Sequence, residues 1–453
     1  MSPHELTRRA FLAATTTTAL LATTRIRAND AQVVPRKLSP NEKLNVAGVG
    51  VGGQGLTDIM NCRKENVVAL CDVDWERAGE AFYKLPEAKQ YKDYRKMLEE
   101  MPEIDAVTVS TPDFMHATVA HAAMTLGKHV YVQKPLAHTP MEARLLTRTA
   151  AATGVATQMG NQGHSGSGAR EFCEIFWSGA IGEVREAHAW TDRPGGRWHR
   201  DPAALAAGQA VPATMDWELW QGNGARRPYS DILHPNKWRV WWDYGCGALG
   251  DMACHIMDPA YWALKLGDAP YFSVEVVEAE GQNEVQVPTG SVIKYSFPER
   301  AGLPPVDFYW HDGGKKPARP AGIPESEKLG DNDGGSFLIG SAGLLGTGTY
   351  GMTTKLLPEA RMAGYTLPPE TIPRVKGSHY RNWIEACKGG APACSNFSYA
   401  GPFAEMVLVG NIALRTGSRV EYDFVNGTVK DNPAASALLT RSYQPGWELI
   451  VDS

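Results

Sequence analysis

Residues 44–50 form a short apolar run that ends in Gly50-Val51-Gly52-Gly53-Gln54-Gly55, and a helical pattern follows through Ile59 and Met60. Few folds place a strand, a glycine turn and a helix in immediate succession. The first glycine permits the tight turn, the second lets backbone approach a pyrophosphate, and the third lets the helix pack on the strand. The helix N-terminus then faces phosphate charge. Gly48, Gly50 and Gly53 have a similar spacing, but Gly48 falls inside the apolar run, so the frame is Gly50, Gly52 and Gly55. A second apolar run, 67–71, ends at Asp72. An acid at this point bonds a ribose 2′-hydroxyl and repels a 2′-phosphate, which favours NAD over NADP. Asp74 is the competing acid; its alternative role is an N-cap before Trp75.

The alternation continues downstream. Helices are predicted over 75–85, 93–100, 114–126 and 141–153, with strands at 106–110, 130–132 and 155–158. Strands separated by helices imply a parallel sheet with ligands at its carboxyl edge. That edge carries Ser110, Thr111, Pro112, Asp113, His116, Gln133 and Lys134. From residue 161 the pattern changes. A helix at 169–177 precedes strands near 184–190, 272–279, 291–297, 306–310, 336–340 and 420–424. Few crossover helices separate them, so the second sheet is mostly antiparallel. Helices at 379–388 and 402–415 flank it, and 312–333 reads as a long exposed loop. The expected fold is α/β: a Rossmann dinucleotide-binding domain over 41–159, then an α+β domain over 160–453 with a large, mostly antiparallel sheet.

Three ordered motifs carry a family resemblance. Thr111-Pro112-Asp113-Phe114-Met115-His116, then Gln133-Lys134-Pro135, then Asp251-Met252-Ala253-Cys254-His255 after a glycine-rich approach resemble the Gfo/Idh/MocA oxidoreductases. The resemblance implies an NAD(P)-dependent enzyme acting on a sugar or polyol CH-OH group, and a homodimer or homotetramer. The implied cofactor contacts are Gly50, Gly52, Gly53, Gln54, Gly55, Asp72, Ser110, Thr111, Pro112, His116, Gln133 and Lys134. The implied catalytic set is Lys134, Asp251 and His255. Glu is usual in the family where this chain has Gln133. A glutamine can orient Lys134 by hydrogen bonding but supplies no counter-charge.

The chemistry fits these residue types. Hydride loss from a secondary alcohol requires removal of the hydroxyl proton, and His255 is a base of suitable range. Lys134 can donate to the substrate oxygen as charge develops there. Asp251, four residues before His255, is expected on the same helical face, to orient substrate or His255. Seven of the thirteen tryptophans lie between Trp190 and Trp242, interleaved with Arg193, Arg197, His199, Arg200, His234, Lys237 and Arg239. Such indoles either stack on sugar rings or fill a loop-rich layer. Asn161, His164, His234 and Trp238 are the expected substrate contacts, with His311 behind them. The converging histidines leave metal binding open, but no H-E-x-x-H or comparable ligand pair occurs, so no metal is assigned.

Thr7-Arg8-Arg9-Ala10-Phe11-Leu12 precedes an apolar stretch over 13–22. This is the layout of a twin-arginine export signal, so residues 1–35 are read as signal and linker, with cleavage between Ala28 and Pro40 and a periplasmic or secreted product. The stretch is shorter than the ~20 residues that span a bilayer, and no stable membrane anchor is expected. A formal net charge of −5 without a long basic run argues against nucleic acid. The seven cysteines form no C-x-x-C pair and read as small buried residues. Because free NAD is scarce outside the cytoplasm, export points to a tightly held cofactor and closed redox chemistry. That can be paired sugar oxidation and reduction, or transient oxidation that makes a glycosidic bond labile, as in NAD-dependent α-N-acetylgalactosaminidases. A non-catalytic sugar sensor is the third reading.

Overall fold

The computed structural model describes residues 34–39, 41–194, 198–199, 201–205 and 208–449. The paired arginines and apolar stretch of the export reading lie outside these residues, as do Arg197 and Arg200.

The first layer is a six-stranded parallel sheet. Its strands are β1 (Asn45–Val49), β2 (Asn66–Cys71), β3 (Lys89–Tyr91), β4 (Ala106–Val109), β5 (His129–Val132) and β6 (Thr157–Met159), in the order β3-β2-β1-β4-β5-β6. The strand order reverses on either side of β1, which opens a crevice at the carboxyl edge between β1 and β4. Helices α1 (Gln54–Asn61), α2 (Gly79–Lys84), α3 (Tyr94–Glu100), α4 (Asp113–Thr125) and α5 (Pro140–Thr153) connect the strands. Local chemistry fixes the best-defined of them. Thr139 and Glu142 form a capping box at the start of α5, Pro140 takes its first position, and Gly154 ends it in the left-handed region.

The second layer is a nine-stranded sheet in the order β13-β12-β11-β7-β10-β9-β8-β14-β15. Its strands are β7 (Val184–Thr191), β8 (Tyr271–Glu280), β9 (Gly290–Phe297), β10 (Val306–His311), β11 (Gly334–Gly340), β12 (Gly343–Gly348), β13 (Thr354–Leu357), β14 (Val420–Asp423) and β15 (Thr428–Val429). Only β7 and β10 pair in parallel; the other pairings are antiparallel. Helices α6 (Ser167–Trp177), α7 (Trp217–Gln221), α8 (Cys254–Ile256), α9 (Asp258–Ala263), α10 (His379–Cys387), α11 (Phe397–Thr416) and α12 (Pro433–Ala437) accompany it. All seven cysteines are free, and six are buried.

Several sequence expectations shift. The helix expected over 75–85 begins only at Gly79. Asp72 and Asp74 carboxylates accept from the backbone N–H of Asp74 and Arg77, and Trp75 N–H bonds the Thr214 carbonyl, so the chain turns before it coils. Helix α11 starts at Phe397, not Pro402. Asn396 caps it, and Pro402 sits in its second turn. At 20 residues α11 is long and apolar enough to cross a membrane, but most of it is buried in the protein core. β12 and β13 were not expected, because glycines at 343, 346 and 348 dilute the strand signal.

The nucleotide layer is also not contiguous. Tyr380, Trp383 and Ile384 of α10 pack in one apolar cluster with Val46, Ile59 and Leu70, closing a face that residues 41–159 leave open. At the opposite end, α1 lies hard against β1. A Cβ on Gly55 would stand 1.7 Å from the Gly50 carbonyl oxygen. Gly55→Ala is therefore expected to push α1 away, costing about 1–3 kcal/mol. Urea unfolding would show this as a lower midpoint, accompanied by weaker nucleotide binding.

Candidate active site

A cleft of about 380 Å³ runs along the carboxyl edge of the parallel sheet and under the second layer. Gly50, Gly52, Gln54, Asp72, Ser110, Thr111, Pro112, His116, Gln133 and Lys134 all line it, while Gly53 and Gly55 act behind it. Gly50 has φ 75°, and a Cβ there would meet the Ser110 carbonyl at 2.8 Å. The turn thus requires glycine for both conformation and space. Asp72 Oδ2 accepts from Val51 N–H at 2.8 Å and Gly52 N–H at 3.1 Å, so the acid after β2 also braces the glycine turn. The Thr111 hydroxyl is buried at the cleft without a partner. An orphan hydroxyl beside a glycine cradle and a helix N-terminus suits a dinucleotide. His116 faces two carbonyls, Thr111 O at 2.8 Å and Pro135 O at 2.7 Å, and ties the loops after β4 and β5 together.

At the other end of the cleft, β5 delivers Lys134 to Asp251. Lys134 Nζ donates to Asp251 Oδ1 at 2.8 Å and to its carbonyl at 2.7 Å. Arg193, just beyond β7, reaches Asp251 Oδ2 at 3.1 Å, and Arg239 Nε reaches Oδ1 at 3.3 Å. Asp251 lies in a π-helical turn, Leu249–Ala253, that runs into α8. Such turns often mark functional sites. Burial works against ionisation of Asp251, yet Lys134, Arg239 and Arg193 hold its carboxyl well below the usual range. His255 on α8 lines the same space, edge-on to Tyr350 with ring centroids 5.0 Å apart. Its Nδ1 is buried without a partner, so Asp251 orients Lys134 and not His255. Burial, aided by Lys134, lowers His255 to about 3, which keeps the imidazole neutral.

Gln133 does not hold the Lys134 ammonium. Its amide donates to both oxygens of Asp58 on α1, at 2.9 and 3.1 Å. Asp58 is fully buried and also accepts from Gln54, Ser110 and Tyr380. The counter-charge expected from a Glu at 133 comes to Lys134 from Asp251 instead. Gln133→Glu would set two carboxylates face to face and is expected to destabilise the fold by about 1–3 kcal/mol. Asp58→Asn in the same chain should restore the urea midpoint.

The substrate assignments change most. Asn161 and His164 do not reach the cleft; both are buried on Asp258. His164 Nδ1 lies 2.9 Å from Asp258 Oδ2, and Tyr399 donates to Oδ1 of the same carboxylate at 2.5 Å. Gln162, between them, faces the cleft. His234 and Trp238 line it, though His234 also pairs with Asp74 Oδ2 at 2.9 Å, while Asp74 Oδ1 accepts from Arg77 N–H. His311 pairs with His188 at 3.1 Å and is not among the cleft residues.

Among the seven clustered tryptophans, only Trp220 and Trp238 line the cleft. The indole N–H groups of Trp217, Trp238, Trp241 and Trp242 each donate to a loop carbonyl, and Trp217 stacks on Trp220 at 4.5 Å. They stitch an irregular layer together more than they present a sugar platform. Asp113 lines the cleft as the sequence expects, while Tyr350 and Trp447 join it with no sequence signal as site residues. Trp447 reaches the cleft from the C-terminal segment and stacks under Arg95 at 4.0 Å. No local pattern marks it, because a chain fold over 300 residues long brings it there.

Residues 43–161 match the family model described as an oxidoreductase family, NAD-binding Rossmann fold, and residues 197–302 match the C-terminal alpha/beta domain of the same family. Both matched segments belong to models of the Gfo/Idh/MocA oxidoreductases. Inositol 2-dehydrogenase of Salmonella typhimurium is 30% identical over 150 residues, 32% of this chain and 44% of that protein. An alpha-N-acetylgalactosaminidase of Shewanella oneidensis is 33% identical over 175 residues, 33% of this chain and 38% of that protein. The chain thus spans less than half the length of these curated relatives. An inositol dehydrogenase homolog from Azotobacter vinelandii, solved with NADH and myo-inositol, has the same fold at a TM-score of 0.56 and 18% identity, over 84% of this chain and 98% of that one. The WlbA dehydrogenase of Bordetella pertussis, solved with NADH and UDP-GlcNAcA, gives 0.57 at 15% identity, over 83% and 98%.

Within this cleft, Asp113 carries a pH dependence that can be measured. It is buried and accepts from Cys246 N–H at 3.0 Å. Burial pushes it up to about 7, against the pull of Arg239 and Lys134. A carboxyl raised from 3.8 favours the fold fully below that value and loses the contribution as pH rises through about 7. Asp113→Asn is neutral throughout. The melting temperature of the variant relative to wild type is expected to rise between pH 5 and pH 8, and differential scanning calorimetry would measure it.

Proposed function

We propose that this chain is an NAD-dependent dehydrogenase that oxidises a secondary hydroxyl of a sugar or polyol. The observation that carries the reading is the convergence of Lys134, Asp251 and His255 at the end of the dinucleotide cleft. Gly50, Gly52, Gln54, Asp72 and Thr111 would hold the cofactor. NAD, when bound, supplies the hydride acceptor. Asp251 fixes the Lys134 ammonium, which donates to the substrate oxygen and offsets its developing charge. The neutral His255 takes the hydroxyl proton. The second layer covers the cleft and limits water access, which strengthens both interactions.

Export by the twin-arginine route belongs to the same proposal and rests on Arg8-Arg9 and the apolar stretch behind them. A cofactor held tightly enough to travel with the folded chain, a periplasmic or secreted location and a homodimer or homotetramer complete it. A second reading is glycoside cleavage through transient oxidation, favoured by the alpha-N-acetylgalactosaminidase relative.

The test is a sugar and polyol panel followed at the nicotinamide absorbance band, with nitrophenyl glycosides in parallel. Reduction of NAD by a panel member, lowered by about two to four orders of magnitude in Lys134→Ala, is the expected result. NAD-dependent nitrophenol release without net reduction would replace it with the glycosidase reading. Ligand binding with neither reaction would leave a sensor.

A further inference from the structure

The charges at the substrate end of the cleft do not balance. Lys134, Arg193 and Arg239 converge on the one carboxylate of Asp251. Asp113, the other acid at that end, is buried beside a backbone N–H and is disfavoured as an anion. The nucleotide end is separately balanced, because Asp72 and Asp93 line it together with Arg77 and Lys92. Asp333 stands 3.9 Å from Arg193 but is half exposed, so solvent screens most of its effect.

Both arginines keep donors in reserve. A guanidinium offers five N–H groups. Arg239 spends Nε on Asp251 and Nη1 on the Asn236 carbonyl; no described residue accepts from its Nη2. Arg193 spends Nη1 on Asp251. Both side chains remain 26% exposed, and both line the cleft. Arg239 is also held in place. It lies over Trp238 at 4.4 Å and near Trp198 at 5.8 Å, which fixes the plane of its fork. A pair of half-used forks, one of them braced by indole rings, beside a surplus positive charge is a receptor for an anion.

We propose that the substrate is an acidic sugar, whose carboxylate is bound by Arg193 and Arg239 while Lys134 and His255 face the hydroxyl to be oxidised. This rests on the dehydrogenase reading and names its substrate class. The anion also serves the chemistry. Burial lowers the His255 imidazole most, Lys134 and Arg193 lower it further, and a bound carboxylate opposes these two cations.

The experiment compares matched sets: a hexose, its hexuronate and its hexose phosphate, with NAD reduction as the readout. Wild type should give kcat/KM for the hexuronate on the order of tenfold above the hexose, the scale of one charge-assisted hydrogen bond. Added salt should erode only the acid's advantage. Arg193→Gln and Arg239→Gln should each reduce the acid-to-hexose ratio toward one. A variant that merely disturbs Asp251 would lower both substrates equally, and that result overturns the proposal. Preference for the hexose in wild type also overturns it while leaving the dehydrogenase reading intact. Preference for the phosphate keeps anion recognition and overturns the carboxylate. No reduction with any set, in protein shown by calorimetry to bind NAD, overturns both readings.

Discussion

One carboxylate organises the working end of this molecule. Asp251 accepts from Lys134 at the end of β5, from Arg193 just past β7 and from Arg239 in the tryptophan-rich segment. Those residues come from both layers, so the same interaction that positions the ammonium also pins the layers together. A buried acid with a single cation is a weak source of stability, because desolvation consumes much of the attraction. Three cations change that balance and keep Asp251 ionised in a site largely closed to water.

The nucleotide layer shows how far local pattern reaches. β1, the glycine turn, α1 and Asp72 were legible because each step is dictated by adjacent residues. The strand end at Ser110 and the approach to Lys134 follow in the same way. Helix α2 failed the same treatment because two aspartates compete with the helix for backbone donors, and because the 214–216 segment pairs with that loop. Propensity cannot anticipate a partner from 140 residues away.

The Lys134–Asp251–His255 end of the cleft was legible in its residues and not in their partners. Lys134, Asp251 and His255 meet as their motifs imply, but spacing said nothing about which partner each would choose. Asn161 and His164 sit beside the last strand of the sheet, yet their side chains turn to Asp258. Gln133 likewise looks past its neighbour to Asp58. Each of these polar side chains is buried and takes the acceptor within reach, and that choice is made by the whole fold. The tryptophans follow the same logic, since an indole N–H buried among loops is most useful as a tie to a carbonyl.

The packing of α10 against β1 and α1 bears on how the protein is made. Val46 and Ile59 leave the ribosome early, but Tyr380, Trp383 and Ile384, which cover them, come more than 300 residues later. Until then, one side of the nucleotide sheet presents apolar surface to solvent. Loop closure over that length is slow, and the exposed face invites association with other chains. The packing behind the glycine turn is therefore completed only when the helix from near the C-terminus arrives.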